Sequence, residues 1–135
     1  MIARGKLILF SVLAMVGSAS WADEMGKADY MDGCAGCHGE SGMGQGPLAE
    51  LLNIEIPDLT HLSARNDGKF PMLEVIHTID GRMGLQAHGG PMPIWGSIFK
   101  THAMGETGIY GSAGAEALTR GRILSIAYYL ESIQQ

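Results

Sequence analysis

Cysteine is scarce: the 135 residues hold two, at positions 34 and 37, and no third follows to complete the four-ligand set of a zinc site at its usual spacing. The βαβ surround preferred by dithiol redox pairs is missing as well. No strand precedes the glycine-rich stretch 39–47 and no lysine follows it where a P-loop needs one, which sets phosphate cradling aside. The one long apolar run, Leu7 to Gly17, is too short for a comfortable bilayer crossing. The carboxylates are scattered, with neither the pairing of acid–base catalysis nor a Ser-His-Asp arrangement. Basic residues are few: 9 Lys and Arg stand against 14 Asp and Glu, for a net charge of −5, and such a chain is not expected to bind nucleic acid. There are no internal repeats.

What is present begins with an export pattern. Arg4 and Lys6 precede the apolar run, and Ser20-Trp21-Ala22 places small residues where a signal peptidase would cut before Asp23. Residues 1–22 are expected to be a cleaved signal peptide, with an uncleaved anchor as the alternative, and residues 23–135 one small domain. Loss of Arg4 and Lys6 leaves seven basic residues against fourteen acidic ones, a charge of −7. That charge suits encounter with a basic patch on a partner protein, and equally suits plain solubility.

The chain is organised around Cys34-Ala35-Gly36-Cys37-His38. On a helix, residues three and four apart share a face, so both sulfurs and the imidazole can address one planar object. C-x-x-C-H is a pattern of c-type haem attachment: each thiol adds across a porphyrin vinyl group, and the histidine offers a ring nitrogen to iron. A dithiol redox site, half a zinc site or a structural disulfide would use the same cysteines.

Around the motif, Met25–Gly33 is expected to be a helix burying Ala28, Met31 and Tyr30, and the glycines from Gly39 to Gly46 to form an irregular loop lying close against a flat ligand. Pro57-Asp58-Leu59-Thr60 opens a turn-rich passage with a short helix before Gly68. Met72, Val75, Ile76 and Ile79 predict a core-facing helix from Pro71 to a stop at Gly81. Met92 stands between Pro91 and Pro93, whose fixed φ stiffens the loop where its thioether projects, as suits a weak axial ligand opposite His38. His88, Met83, Met104, His61, His77 and His102 are the other candidates. Residues 100–117 carry no readable pattern. An amphipathic helix runs from about Thr119 to Ser132, with Ile123, Ile126, Ala127 and Leu130 inward, Arg120 and Arg122 outside, and Tyr128 and Tyr129 as packing residues.

The signal, the Cys34-x-x-Cys37-His38 motif, the Pro91-Met92-Pro93-x-Trp95-Gly96 loop and the Tyr129-Leu130 helix together resemble a small class I type cytochrome c, across the whole mature chain and only weakly over 98–118. The resemblance implies an all-α fold whose N- and C-terminal helices cross over a covalently bound haem. It makes Cys34 and Cys37 thioether links, His38 the proximal ligand and Met92 the distal one. It also gives the Pro47 carbonyl a hydrogen bond from the ligand histidine, and sets Trp95 by a haem propionate, where core packing is the alternative. The acidic charge departs from the lysine-rich mitochondrial members and is closer to bacterial single-haem proteins.

With iron ligated from both sides no position is open to substrate, and one-electron transfer follows. The expected function is that of a periplasmic shuttle, or the haem subunit of an oxidoreductase complex, carrying one haem c, exchanging electrons with protein partners and not itself an enzyme. A haem enzyme or gas sensor whose distal site opens is the alternative; a haem-free thiol oxidoreductase is a third reading.

Overall fold

The computed structural model describes residues 21–82 and 92–135. All regular elements among them are helical, and no strand occurs. The export signal lies outside the described residues except for Trp21 and Ala22, as do Met83 and His88.

The first helix, α1 (Trp21–Gly33), begins earlier than its apolar pattern predicts. Its buried stripe is Gly26, Tyr30 and Cys34, at intervals of four, whereas Ala28 is exposed and Met31 half-buried. A turn at Cys34 leads into α2 (Ala35–His38). Helical pairing continues through that turn: Cys34 N donates to Tyr30 O at 2.8 Å and His38 N to Cys34 O at 2.9 Å. The C-x-x-C-H motif is therefore the last turn of the N-terminal helical arm.

A helix end leaves carbonyls without partners. Here the glycine-rich loop supplies them: Gly44 N, Gly46 N and Leu48 N donate to His38 O, Cys37 O and Gly36 O at 2.8, 3.0 and 2.8 Å. The loop lies close against the motif's own backbone, and at Gly46 a Cβ would collide with the carbonyls of Ala35 and Gly36.

The helix α3 (Met72–Asp80) buries Val75 and Ile79 and stops at Gly81, whose φ of 66° is left-handed, as its sequence predicts. The passage 100–117 is not featureless. α4 (Trp95–Met104) extends into its start, burying Gly96, Phe99 and Ala103. A 3₁₀ turn at Gly108–Tyr110 follows, and then α5 (Gly111–Ser132) starts two turns before the expected Thr119. The apolar period was hidden because the inward positions are small: Gly96 and Ala103 on α4, Ala115 on α5. Thr119 sits in this stripe with its buried hydroxyl satisfied, donating to Ala115 O at 2.7 Å.

α5 is the central element, packing on α1, α3 and α4. Its most extensive partner is α1, at a crossing where a Cβ on Gly26 would strike the Ser125 carbonyl. The Tyr30 and Tyr129 rings meet there, centroids 5.2 Å apart, while Tyr128 faces outward. Arg122, expected outside the apolar face, is half-buried: it donates to Asp29 on α1 at 2.6, 3.1 and 3.2 Å, with its guanidinium 4.3 Å above the Phe99 ring.

Candidate functional site

At the foot of the α1–α5 crossing lies a cavity of about 320 Å³, within the size range of small-molecule sites. Its wall is mostly apolar, with Leu59 and Leu62 from the passage after Pro57, Val75 and Ile79 from α3, and Ile126 and Leu130 from α5. Arg65, Asn66, Glu74 and Thr78 bring polar groups to the same lining. Cys34, His38 and Met92 all border this one space. Three residues separated by up to 58 positions are thus brought to a common cavity, the first two by the last turn of the helical arm and the third by the segment entering α4.

The state of each group follows from its surroundings. Cys34 is buried and its thiol is pushed up to about 12 by that burial, with Asp29 and Cys37 adding to the shift. A thiol held protonated is a poor dithiol catalyst, since the thiolate is the nucleophile. Both cysteines are free, so no disulfide joins them. Cys37 is half-buried on the same turn and does not line the cavity.

His38 is buried, and burial holds its imidazole below the usual value of 6.5, against the opposing pull of the Pro57 carbonyl. Its Nδ1 lies 3.4 Å from Pro57 O. A carbonyl only accepts, so this contact places the ring proton on Nδ1 and leaves the Nε2 lone pair for a Lewis acid. The carbonyl that meets the histidine is therefore that of Pro57, not Pro47 as expected. Pro47 is exposed in the loop that caps the motif, where its neighbours Gly46 and Leu48 serve the helix carbonyls instead.

Trp95 stands in the packing position given as its alternative. Its ring packs on Phe99, with centroids 5.4 Å apart, and against the backbone of Gly33, outside the cavity lining. Core packing describes it. Of the alternative iron ligands, His61 is engaged by Asp58 and Thr60, and His77, His102 and Met104 are exposed; none lines the cavity. Among the described residues no three His, Cys, Asp or Glu side chains gather to hold a metal ion.

Three further contributors were read from the sequence only in part or not at all. Tyr30, buried on the cavity wall, donates its hydroxyl to Gly39 O at 2.7 Å and ties the helical arm to the loop behind the motif. Pro57 was legible only as a turn residue, and Arg65 carried no signal.

The donor set suits a porphyrin iron. A neutral imidazole nitrogen, a thioether and a thiol border an apolar space, the combination in which haem iron takes His and Met axial ligands. A zinc centre would need further cysteines, histidines or carboxylates on the same space.

No curated protein and no solved structure shows a significant match to the chain. The family model for cytochrome c matches residues 24–133, from the first turns of α1 to the end of α5. A match that spans nearly all of the helical body, including the motif turn and every wall of the cavity, places this chain in the cytochrome c family, whose members bind haem c covalently and transfer electrons.

Proposed function

We propose that this protein is an exported one-electron carrier in which Cys34 and Cys37 would form the thioether links to a single haem, and His38 and Met92 would ligate its iron. The observation that carries this reading is that Cys34, His38 and Met92 border one apolar cavity. The haem, when bound, supplies a reversible one-electron couple at its iron.

The chain's own residues do the rest. His38, neutral and with its Nδ1 turned to Pro57, offers Nε2; the Pro57 contact raises the basicity of that nitrogen. The Met92 sulfur, a soft neutral donor, favours the ferrous state and raises the potential. Leu59, Leu62, Val75, Ile126 and Leu130 exclude water, lowering the solvent reorganisation that each electron would otherwise demand. No protein acid or base takes part. Arg65, whose guanidinium also donates to the Asp58 carbonyl, brings the positive charge that haem carboxylates at the same lining would meet.

The decisive experiment is a reduced-minus-oxidised spectrum extended into the near infrared. The band of a sulfur–iron bond is expected in wild type and is lost in Met92→Ala, together with a fall in potential. Persistence of the band in Met92→Ala reassigns the ligand. Export from the cytoplasm, with cleavage before Asp23, is the localisation we infer. Among the described residues no helix is long and apolar enough to cross a membrane. Purification size decides between the two forms of the reading: comigration with a larger dehydrogenase or oxidase marks a haem subunit, and a free small protein marks a shuttle.

A further inference from the structure

We propose that Gln134, just beyond α5, is a positioning residue that sets the hydrogen bond between His38 and Pro57 and thereby tunes the reduction potential. The proposal rests on His38 as an iron ligand.

The Pro57 carbonyl lies 3.4 Å from His38 Nδ1, at the long end of hydrogen bonding. Small movements of that carbonyl therefore change the strength of the contact. Pro57 belongs to an irregular passage without a backbone ladder of its own; on one side it lies with Ile56 against Gly44, and on the other its place depends on what holds the residues after it.

Three of the bonds that do so come from two residues, and a fourth anchors one of them to α5. Gln134 Nε2 donates to Leu59 O at 2.8 Å and to Leu130 O at 2.7 Å, while its Oε1 accepts from Ser63 N at 2.9 Å. Gln135 N donates to Thr60 O at 2.9 Å. One side chain thus bridges both ends of the 59–63 turn to the last turn of α5. Leu130, to which it is anchored, is a buried residue of the cavity wall.

Two further sets of bonds define what Gln134 does not do. Asp58 Oδ1 accepts from Thr60 N and Thr60 Oγ1, both at 2.7 Å, which folds the turn on itself. Leu59 N donates to Gly42 O at 2.7 Å, a link to the loop that caps the motif. With these in place, loss of Gln134 leaves the turn its internal shape and frees its two ends, Leu59 and Ser63, from α5, with Thr60 still held by Gln135 N.

The effect on iron follows from ligand basicity. An imidazole that donates its Nδ1 proton to a carbonyl pushes more electron density through Nε2 and stabilises the ferric state. A loosened Pro57 withdraws that support, and the ferrous state gains. Second-shell changes of this kind alter metal-site equilibria by about tenfold or more. For a one-electron couple, tenfold corresponds to about 59 mV.

The test is spectroelectrochemical titration of the haem-loaded protein, with the near-infrared band and far-ultraviolet circular dichroism recorded on the same samples. Gln134→Ala and Gln134→Met are expected to raise the potential by about the tenfold equivalent with unchanged helix content, the Met variant because it keeps the bulk and loses the bonds. Phe99→Leu, which loosens packing from the α4 side, is expected to lower stability and leave the potential unmoved. A potential in both Gln134 variants equal to wild type overturns the proposal. So does an equal shift in Phe99→Leu, which would make the effect general loosening. Absence of the near-infrared band in wild type overturns Met92 as ligand and leaves the comparison of potentials decisive, because the proposal requires only His38 on the iron.

Discussion

A single buried hydroxyl shows how the motif is held at the scale of the residue. Tyr30 is fully buried, and its hydroxyl donates to Gly39 O at 2.7 Å, directly behind the last residue of C-x-x-C-H. Burial raises its pKa well above the usual phenol value, so the group is a neutral donor at any working pH. Removing the donor leaves the Gly39 carbonyl its second partner, the Gly42 N–H at 3.1 Å, so the loss is that of one ordinary hydrogen bond. Tyr30→Phe is therefore expected to lower stability by about 0.5–1.5 kcal/mol, read as a lower denaturant midpoint with an unchanged slope. The bond was not legible beforehand. Tyr30 could be placed near the attachment point from its spacing to Cys34, but its acceptor belongs to a glycine whose position depends on the loop folding back.

Among the elements, the crossing of α1 and α5 dominates, and two glycines separate its packing from helix propensity. Gly26 faces the Ser125 backbone, where a Cβ has no room, and Gly121 on α5 has no neighbour within 4 Å of its Cβ position. Alanine gains about 1 kcal/mol over glycine inside a helix. Overpacking against backbone costs about 1–3 kcal/mol. Gly121→Ala is then expected to raise the thermal midpoint, and Gly26→Ala to lower it, a contrast that thermal unfolding of the two variants reads directly. α3 was legible to within a residue because large side chains recur on one face and Gly81 ends it. α4 was not, since two of its three buried positions are Gly96 and Ala103, and the small size of Gly96 marks close packing only once Asp80 and Arg82 lie against it.

For the whole molecule, charge does more than repel. The carboxylates read as surface charge include Glu116, on which three elements converge: Arg82 after α3 at 2.7 and 3.0 Å, Lys100 of α4 at 3.2 Å and Arg120 of α5 at 3.0 Å. Arg82 also donates to Asp80, and the pair rests beneath Gly96 at the start of α4, next to the segment bearing Met92. Hydrogen bonds from Arg82, Arg120 and Lys100 hold the Glu116 carboxyl well below its usual 4.5. Arg82 likewise holds Asp80 below 3.8. A depressed carboxyl binds fewer protons in the folded state than in the unfolded state, so its stabilisation is present above the unfolded value and is lost as pH falls. Glu116→Gln is expected to be less stable than wild type at pH 7. The gap closes as the pH drops below 4.5, as denaturant unfolding across that range would measure.

Local chemistry was decided by sequence alone. Adjacent residues set the Cys34, Cys37 and His38 motif on one helical turn, of which Cys34 and His38 border the cavity and Cys37 does not. The same holds for the stop at Gly81 and for the absence of donors that a zinc or phosphate site would need. Tertiary structure decided which distant groups share a space. It turned Pro57 and not Pro47 toward the imidazole, put Trp95 into packing, and brought Met92 to the cavity that Cys34 and His38 border. The physical reason is that a carbonyl or a thioether reaches a histidine by position in space. In this chain that position comes from side chains such as Gln134 and Glu116, which bond across elements far apart in sequence.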